Sequence, residues 1–220
     1  MDMQKARAFF FILFVAFLCS PVIAQEEEED PDADRQAPIY SEWTPFLYAR
    51  GDQTINISLG VTIPMVFAGT SGIINHNLTL GGTLSVAYNQ FLTPELYIGG
   101  EVAAMAALTK GTNVLYIVPF GFRVGYQVAL HRFALPAWLR RFELPFTLTV
   151  GGAVQSYLDN EENYLGFFVK PGASIFFRFN QDWSFGLNAA WWWIPQWTED
   201  RSKDVYGNFL ELTVAARYHF

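Results

Sequence analysis

The sequence is poor in charge, has one cysteine and three histidines, and holds no long apolar run past residue 25. Each scarcity excludes something. The lone Cys19 lies near the amino terminus, so the rest of the chain has no disulfide framework and no thiolate metal site. His76, His131 and His219 show no paired metal spacing, and neither a metal nor a cofactor is expected. No stretch of about 18 apolar residues follows residue 25, so no membrane helix is expected there. Charged residues make up 16% of the chain, against about 25% in soluble domains. Aromatic residues reach 17%. That balance suits lipid. A chain that enters lipid without helices must close into a barrel, because only closure pairs every backbone group in hydrocarbon.

Three segments follow from what is present. Residues 1–24 read as a signal peptide: Lys5 and Arg7, the apolar run Ala8 to Leu18, then Pro21-Val22-Ile23-Ala24 with cleavage expected before Gln25. The run is shorter than the roughly 20 residues of a spanning helix, and Leu18 disfavours a lipoprotein site at Cys19. Residues 25–44 read as a disordered acidic spacer. Seven acids lie between Glu26 and Asp34, followed by one base, Arg35. Residues 45–220 are nearly balanced, with 13 acids in 41–220 against 11 bases. The net charge of -7 is therefore concentrated in the spacer, and no nucleic-acid partner is expected.

Period-two alternation predicts eight strands in residues 45–220. They run Thr54 to Val61, Asn77 to Asn89, Glu95 to Leu108, Val114 to Gln127, Pro145 to Tyr157, Tyr164 to Phe179, Trp183 to Ile194 and Phe209 to Phe220. The count is even, as in bacterial outer-membrane barrels. With the amino terminus in the periplasm, the outward loops are 62–76, 109–113, 158–163 and 197–208. The inward turns are 90–95, 128–144 and 180–182, of which 128–144 is unusually long.

Alternation alone does not say which face meets lipid, and a soluble lipocalin-like barrel is the rival fold. Three features favour the apolar face outward. The other face carries Gly, Ala, Ser, Thr and Asn with few charges, unlike a surface in water. Aromatics collect at strand ends, where interfacial girdles sit. The ionisable residues of the polar face are of both signs: Glu101, Arg123, Lys170, Arg178, Glu211 and Arg217. Buried charges are tolerated in pairs, so these are candidate lumen residues, forming a plug of ion pairs or an ion path.

The carboxy-terminal alternation Leu212, Val214, Ala216, Tyr218, Phe220 resembles the terminal signature of outer-membrane barrels. The resemblance implies that Tyr218 and Phe220 are read by the barrel-assembly machinery. The eight strands of residues 45–220 resemble the small barrels of the OmpW and OmpX types and the OmpA transmembrane domain. The expected fold is thus an all-β, eight-stranded antiparallel transmembrane barrel in the bacterial outer membrane, with its spacer in the periplasm.

Other candidate sites are weaker. Ile63-Pro64-Met65-Val66-Phe67 is an apolar opening to the first outward loop. By resemblance to OmpW-like barrels, Met65, Val66 and Phe67 could gate passage of a small apolar solute; otherwise they extend the strand pair beyond the membrane. Trp183, Trp191 and Trp193 face lipid by alternation as interfacial anchors, while Trp192 points inward. Segment 131–142 places His131, Arg132, Arg140 and Arg141 beside Leu135, Trp138, Leu139 and Phe142. It reads as an interfacial stretch with Trp138 as anchor and cations near lipid phosphates, or as a periplasmic docking segment. No nucleophile, base and orienter share a meaningful spacing, so no catalytic residue is assigned. The functional expectation is a narrow channel for ions or small apolar solutes. The alternatives are a non-conducting structural or surface-contact barrel with a ligand at its loops and, less favoured, an enzyme.

Overall fold

The computed structural model describes residues 48–69, 72–74, 78–109, 114–133, 136–157, 163–196 and 205–220. The segments expected to be a signal peptide and an acidic spacer, residues 1–24 and 25–44, lie outside these residues. Within the unit Trp43–Phe220, eight long strands form an antiparallel sheet. They are β1 (Gln53–Gly69), β2 (Leu78–Phe91), β3 (Leu96–Thr109), β4 (Val114–Gln127), β5 (Pro145–Tyr157), β6 (Asn163–Arg178), β7 (Trp183–Gln196) and β8 (Val205–His219). Each strand pairs with the next, and β8 pairs with β1 from Thr54↔His219 to Gly69↔Val205, closing the barrel. The seam is tied at its end by two backbone bonds between Gln53 and Phe220, of 3.0 and 3.1 Å. An even strand count brings both ends of the barrel chain to the same rim, called here the terminal rim.

Burial follows the predicted alternation. In β3, Glu101, Ala103, Met105 and Ala107 are buried while Val102, Ala104, Ala106 and Leu108 are exposed. The exposed set around the barrel is apolar, including Leu59, Leu84, Phe122, Leu148, Leu165, Leu187 and Val214. Water would not accept so continuous an apolar surface, so the lipid-facing orientation holds and the lipocalin-like rival does not. Two aromatic girdles bound this band. Near the terminal rim, Trp183 contacts Phe185 and Tyr218, and Tyr218 contacts Phe220, with ring centroids 5.0–6.2 Å apart. Near the opposite rim, Trp193 stacks on Tyr206 at 6.5 Å, and Trp191 donates through Nε1 to Asn208 Oδ1 at 3.2 Å. Trp183 and Trp193 stand ten residues apart on β7. At about 3.4 Å per residue and a tilt near 40°, this gives about 26 Å of height, close to the roughly 25 Å apolar band of such barrels.

Two local expectations are corrected. The first strand does not end at Val61, and Met65–Phe67 do not open a loop: β1 runs to Gly69 because β8 supplies hydrogen-bonding partners that far. The register shifts between Pro64 and Val66. Pro64 is accommodated there because β1 has already parted from β2 after Thr62. Met65 and Val66 are exposed; the Phe67 side chain lies outside the described residues. Leu78, which strict alternation with the exposed Leu80 and Leu84 puts on the lipid face, instead packs against the buried cluster. The irregularity between Leu78 and Gly81 reverses its direction relative to the rest of β2.

Gly125 shows why one small residue is required. It sits opposite Tyr97, whose ring occupies the place of the missing side chain: a Cβ on Gly125 would lie 2.0 Å from Tyr97 Cζ. Gly125→Ala is expected to push Tyr97 out of its slot at about 1–3 kcal/mol. The urea midpoint of the barrel folded in lipid vesicles reads this directly, and an unchanged midpoint would contradict it.

Candidate functional site

The interior is filled in three tiers. The middle tier is ionic. Lys170 on β6 donates to Glu101 Oε1 at 2.7 Å and to Glu211 Oε1 and Oε2 at 3.0 and 2.9 Å. Glu101 Oε2 accepts from Arg123 Nη1 at 3.1 Å and from Thr149 Oγ1 at 2.7 Å. Strands β3, β4, β5, β6 and β8 thus send side chains to one cluster. Its two acids and two bases balance, and all are at most 8% exposed. The bonds of Lys170 Nζ go to these two carboxylates. Its Nζ lies 5.1 Å from the ring centre of Trp192, which gives the ammonium a π face where carboxylates are absent.

Beyond Trp192 the interior turns apolar. Met105, Leu115, Ile117, Phe168, Trp192, Ile194 and Phe209 are each at most 2% exposed and form one cluster. Phe168 meets Trp192 edge to face at 5.7 Å. This tier lies toward the rim opposite the termini.

The terminal tier mixes charge and aromatics. Glu143 bridges Arg178 Nη1 at 3.2 Å and Arg217 Nη1 at 2.8 Å. Arg217 Nε donates to Asn56 Oδ1 at 2.9 Å, and its guanidinium lies 4.0 Å from the Phe176 ring centre. Into this tier reaches Tyr48, which precedes β1. Its ring stacks on Phe91 at 3.7 Å and 7°, and its hydroxyl donates to Glu143 Oε2 at 2.8 Å. Burial pushes the Tyr48 phenol above its ordinary pKa, and Glu143 adds to this against Arg217 and Arg178. The phenol therefore keeps its proton and remains a donor. Since that single proton goes to Glu143, the 3.2 Å contact with His219 Nδ1 needs the proton on the imidazole. His219 Nε2 then accepts from Ser184 Oγ at 2.8 Å.

All seven predicted lumen residues (Glu101, Arg123, Lys170, Arg178, Trp192, Glu211 and Arg217) are buried in the interior. Glu101, Arg123, Lys170 and Glu211 meet in the middle tier, Arg178 and Arg217 share Glu143 in the terminal tier, and Trp192 packs in the apolar one. The sequence reading missed Glu143, Tyr48, Thr149, Ser184 and His219. Parity gave a signal for Glu143, which is in phase with the buried Pro145. His219 likewise falls between the outward Tyr218 and Phe220. Tyr48 gave none, because the turn at Gly51, with φ of 102°, separates it from the strand. Trp138, Trp183, Trp191 and Trp193 are all exposed, at 38–63%. Tyr218 and Phe220 are exposed on the outward face.

A closed eight-stranded antiparallel barrel with an apolar exterior between aromatic girdles defines the class: this is a small outer-membrane β-barrel. One protein-family model matches residues 29–218, and the chain belongs to that family. The chain is 28% identical over 181 residues to an uncharacterized protein of Treponema pallidum (strain Nichols), covering 77% of this chain and 78% of the relative. It is 24% identical over 205 residues to an uncharacterized protein of Borreliella burgdorferi, covering 84% and 86%. Among solved structures, Neisserial surface protein A matches with a TM-score of 0.54 at 9% identity, covering 77% of this chain and 97% of that one. OprG of Pseudomonas aeruginosa matches with a TM-score of 0.44 at 8% identity, covering 79% and 97%. At 9% identity the likeness to the Neisserial protein concerns the fold alone.

Proposed function

We propose that this protein is a non-conducting outer-membrane barrel that acts through what it presents at the cell surface, with the terminal rim and acidic spacer in the periplasm. The observation that carries this reading is the filled interior: an apolar tier, a charge-balanced ionic tier and a tier capped by Tyr48 follow one another along the lumen. An eight-stranded barrel is only just wide enough for side chains to fill, and here large side chains fill it. The turns 92–95 and 179–182 at the terminal rim are short, which fits the periplasmic side. The Neisserial protein that shares the fold is itself named a surface protein. Tyr218 and Phe220, side by side at the closing seam, are the surface we assign to the assembly machinery. Ser184 and His219 make a nucleophile–base contact, but Ser184 is fully buried and His219 faces a phenol rather than a carboxylate. That favours a structural over a catalytic role.

The test is ion flux through vesicles carrying the folded wild-type protein and Glu101→Gln. The wild type is expected to leak no more than protein-free vesicles. Glu101→Gln frees Lys170 and Arg123 from a shared anion and is expected to raise flux severalfold. Steady wild-type conductance would replace this reading with the narrow channel. Folded, equally tight wild type and variant would leave the barrel non-conducting but remove the ionic tier as its seal.

A further inference from the structure

The terminal tier buries a cation whose counter-charge is shared. Arg217 is 1% exposed. Its Nε donates to Asn56, and its Nη1 donates to Glu143 and, at 3.4 Å, to the Tyr48 oxygen. The same Glu143 also bonds Arg178, so Arg217 has a share of one carboxylate rather than a whole one. Its Nη2 is buried and has no acceptor among the described residues. An unpaired buried N–H is costly, and more so when it belongs to a charged group.

A second donor without an acceptor lies in the same tier. Tyr97 is 1% exposed, and its hydroxyl has no partner among the described residues. Ring contacts lead from one donor to the other. Tyr97 packs on Phe91 at 5.0 Å, Phe91 stacks on Tyr48, and the Tyr48 oxygen meets Arg217. The Tyr97 phenol is within electrostatic reach of the Arg217 guanidinium. Its ring fills the slot at Gly125, which fixes where the hydroxyl lies. Neighbouring inward positions are small: Ala87 pairs with Asn56, and Gly99 separates Tyr97 from Glu101. Asn89 and Gln127, buried toward the same rim, each leave an amide oxygen unpaired, and a half-turn of either amide offers N–H in its place.

We infer that the terminal tier binds one small inorganic anion, chloride in ordinary salt, between Arg217 Nη2 and the Tyr97 hydroxyl. Water would satisfy the two donors but not the charge. A halide does both, because it accepts two charge-assisted bonds and answers the part of the guanidinium charge that Glu143 leaves to Arg178. The anion is then a structural ligand that stabilises the closed end of the lumen.

The rate of urea-driven unfolding of the full chain from lipid vesicles tests the site. Replacing gluconate by chloride at constant ionic strength is expected to slow wild-type unfolding about fivefold, with a dependence that saturates as a single site fills. Tyr97→Phe keeps the ring in its slot and removes one donor, and its response to chloride is expected to fall to about twofold or less. Phe168→Leu, in the apolar tier, should unfold faster in both salts yet keep the full response. Bromide should act in chloride's place and give one anomalous scattering peak beside Arg217 in crystals. Heat-modifiable gel migration confirms that each variant is folded. Equal wild-type rates in the two salts would overturn the site, as would density for water alone beside Arg217. An undiminished response in Tyr97→Phe would overturn it by showing that chloride acts elsewhere. Loss of the response in Phe168→Leu would overturn it by tracing the effect to general destabilisation. The unfolding rate reads occupancy whether or not ions cross the barrel.

Discussion

Replacing Lys170 with Met should lower the stability of the folded barrel by about 3–5 kcal/mol, the usual cost of breaking a buried ion pair from one side. The reason is the geometry of the middle tier. Glu211 has Lys170 as its bonded cation, through both carboxylate oxygens, and Glu101 loses one of its two cations in the same step. Two carboxylates that share one ammonium would then face each other in an interior closed to water. Adding Glu211→Gln to Lys170→Met should restore much of the loss, because Glu101 and Arg123 remain as a neutral pair. Urea unfolding in lipid vesicles, followed by tryptophan fluorescence, measures both. A single variant as stable as wild type, or a double variant as unstable as the single, would show that the tier does not act as a charge-balanced unit.

The terminal tier should respond as strongly to Glu143→Gln, with a loss of about 3–5 kcal/mol. This change leaves Arg178 and Arg217 without the carboxylate that bridges them. It also exchanges Tyr48's charged acceptor for a neutral one. Tyr48→Phe removes the hydroxyl but keeps the ring stacked on Phe91, so its cost should stay near 1.5–3 kcal/mol, the range for a hydrogen bond to a charged group. The order of the two effects is the diagnostic result. If Tyr48→Phe cost as much as Glu143→Gln, the tier would be held by the phenol rather than by the shared carboxylate. The measurement is again the urea midpoint, with the gel shift on heating as the check on folding.

The alternation of β4 and β5 was legible to the residue, because neither strand has a register shift in its pairing with either neighbour. The end of β1 was not. Its extension to Gly69 depends on β8, which lies more than a hundred residues away in the chain, and a local pattern interrupted by Pro64 carries no trace of that partner. Leu78 was misplaced for a related reason, since one irregularity in a pairing reverses the faces and alternation carries no mark of it.

By itself the sequence determined the barrel, the lipid-facing band and the inward direction of Glu101, Arg123, Lys170, Arg178, Trp192, Glu211 and Arg217. All of these follow from side chains alternating across a strand, which is a property of adjacent residues. Only the tertiary structure decided which charges meet. Strand tilt and stagger set the heights at which side chains enter the lumen. They bring Lys170 to both Glu101 and Glu211, send Arg178 and Arg217 to Glu143, and leave Trp192 between the ionic tier and the apolar one. Tyr48 reaches its place by a turn rather than a strand. No spacing in the sequence encodes a contact made across a closed ring.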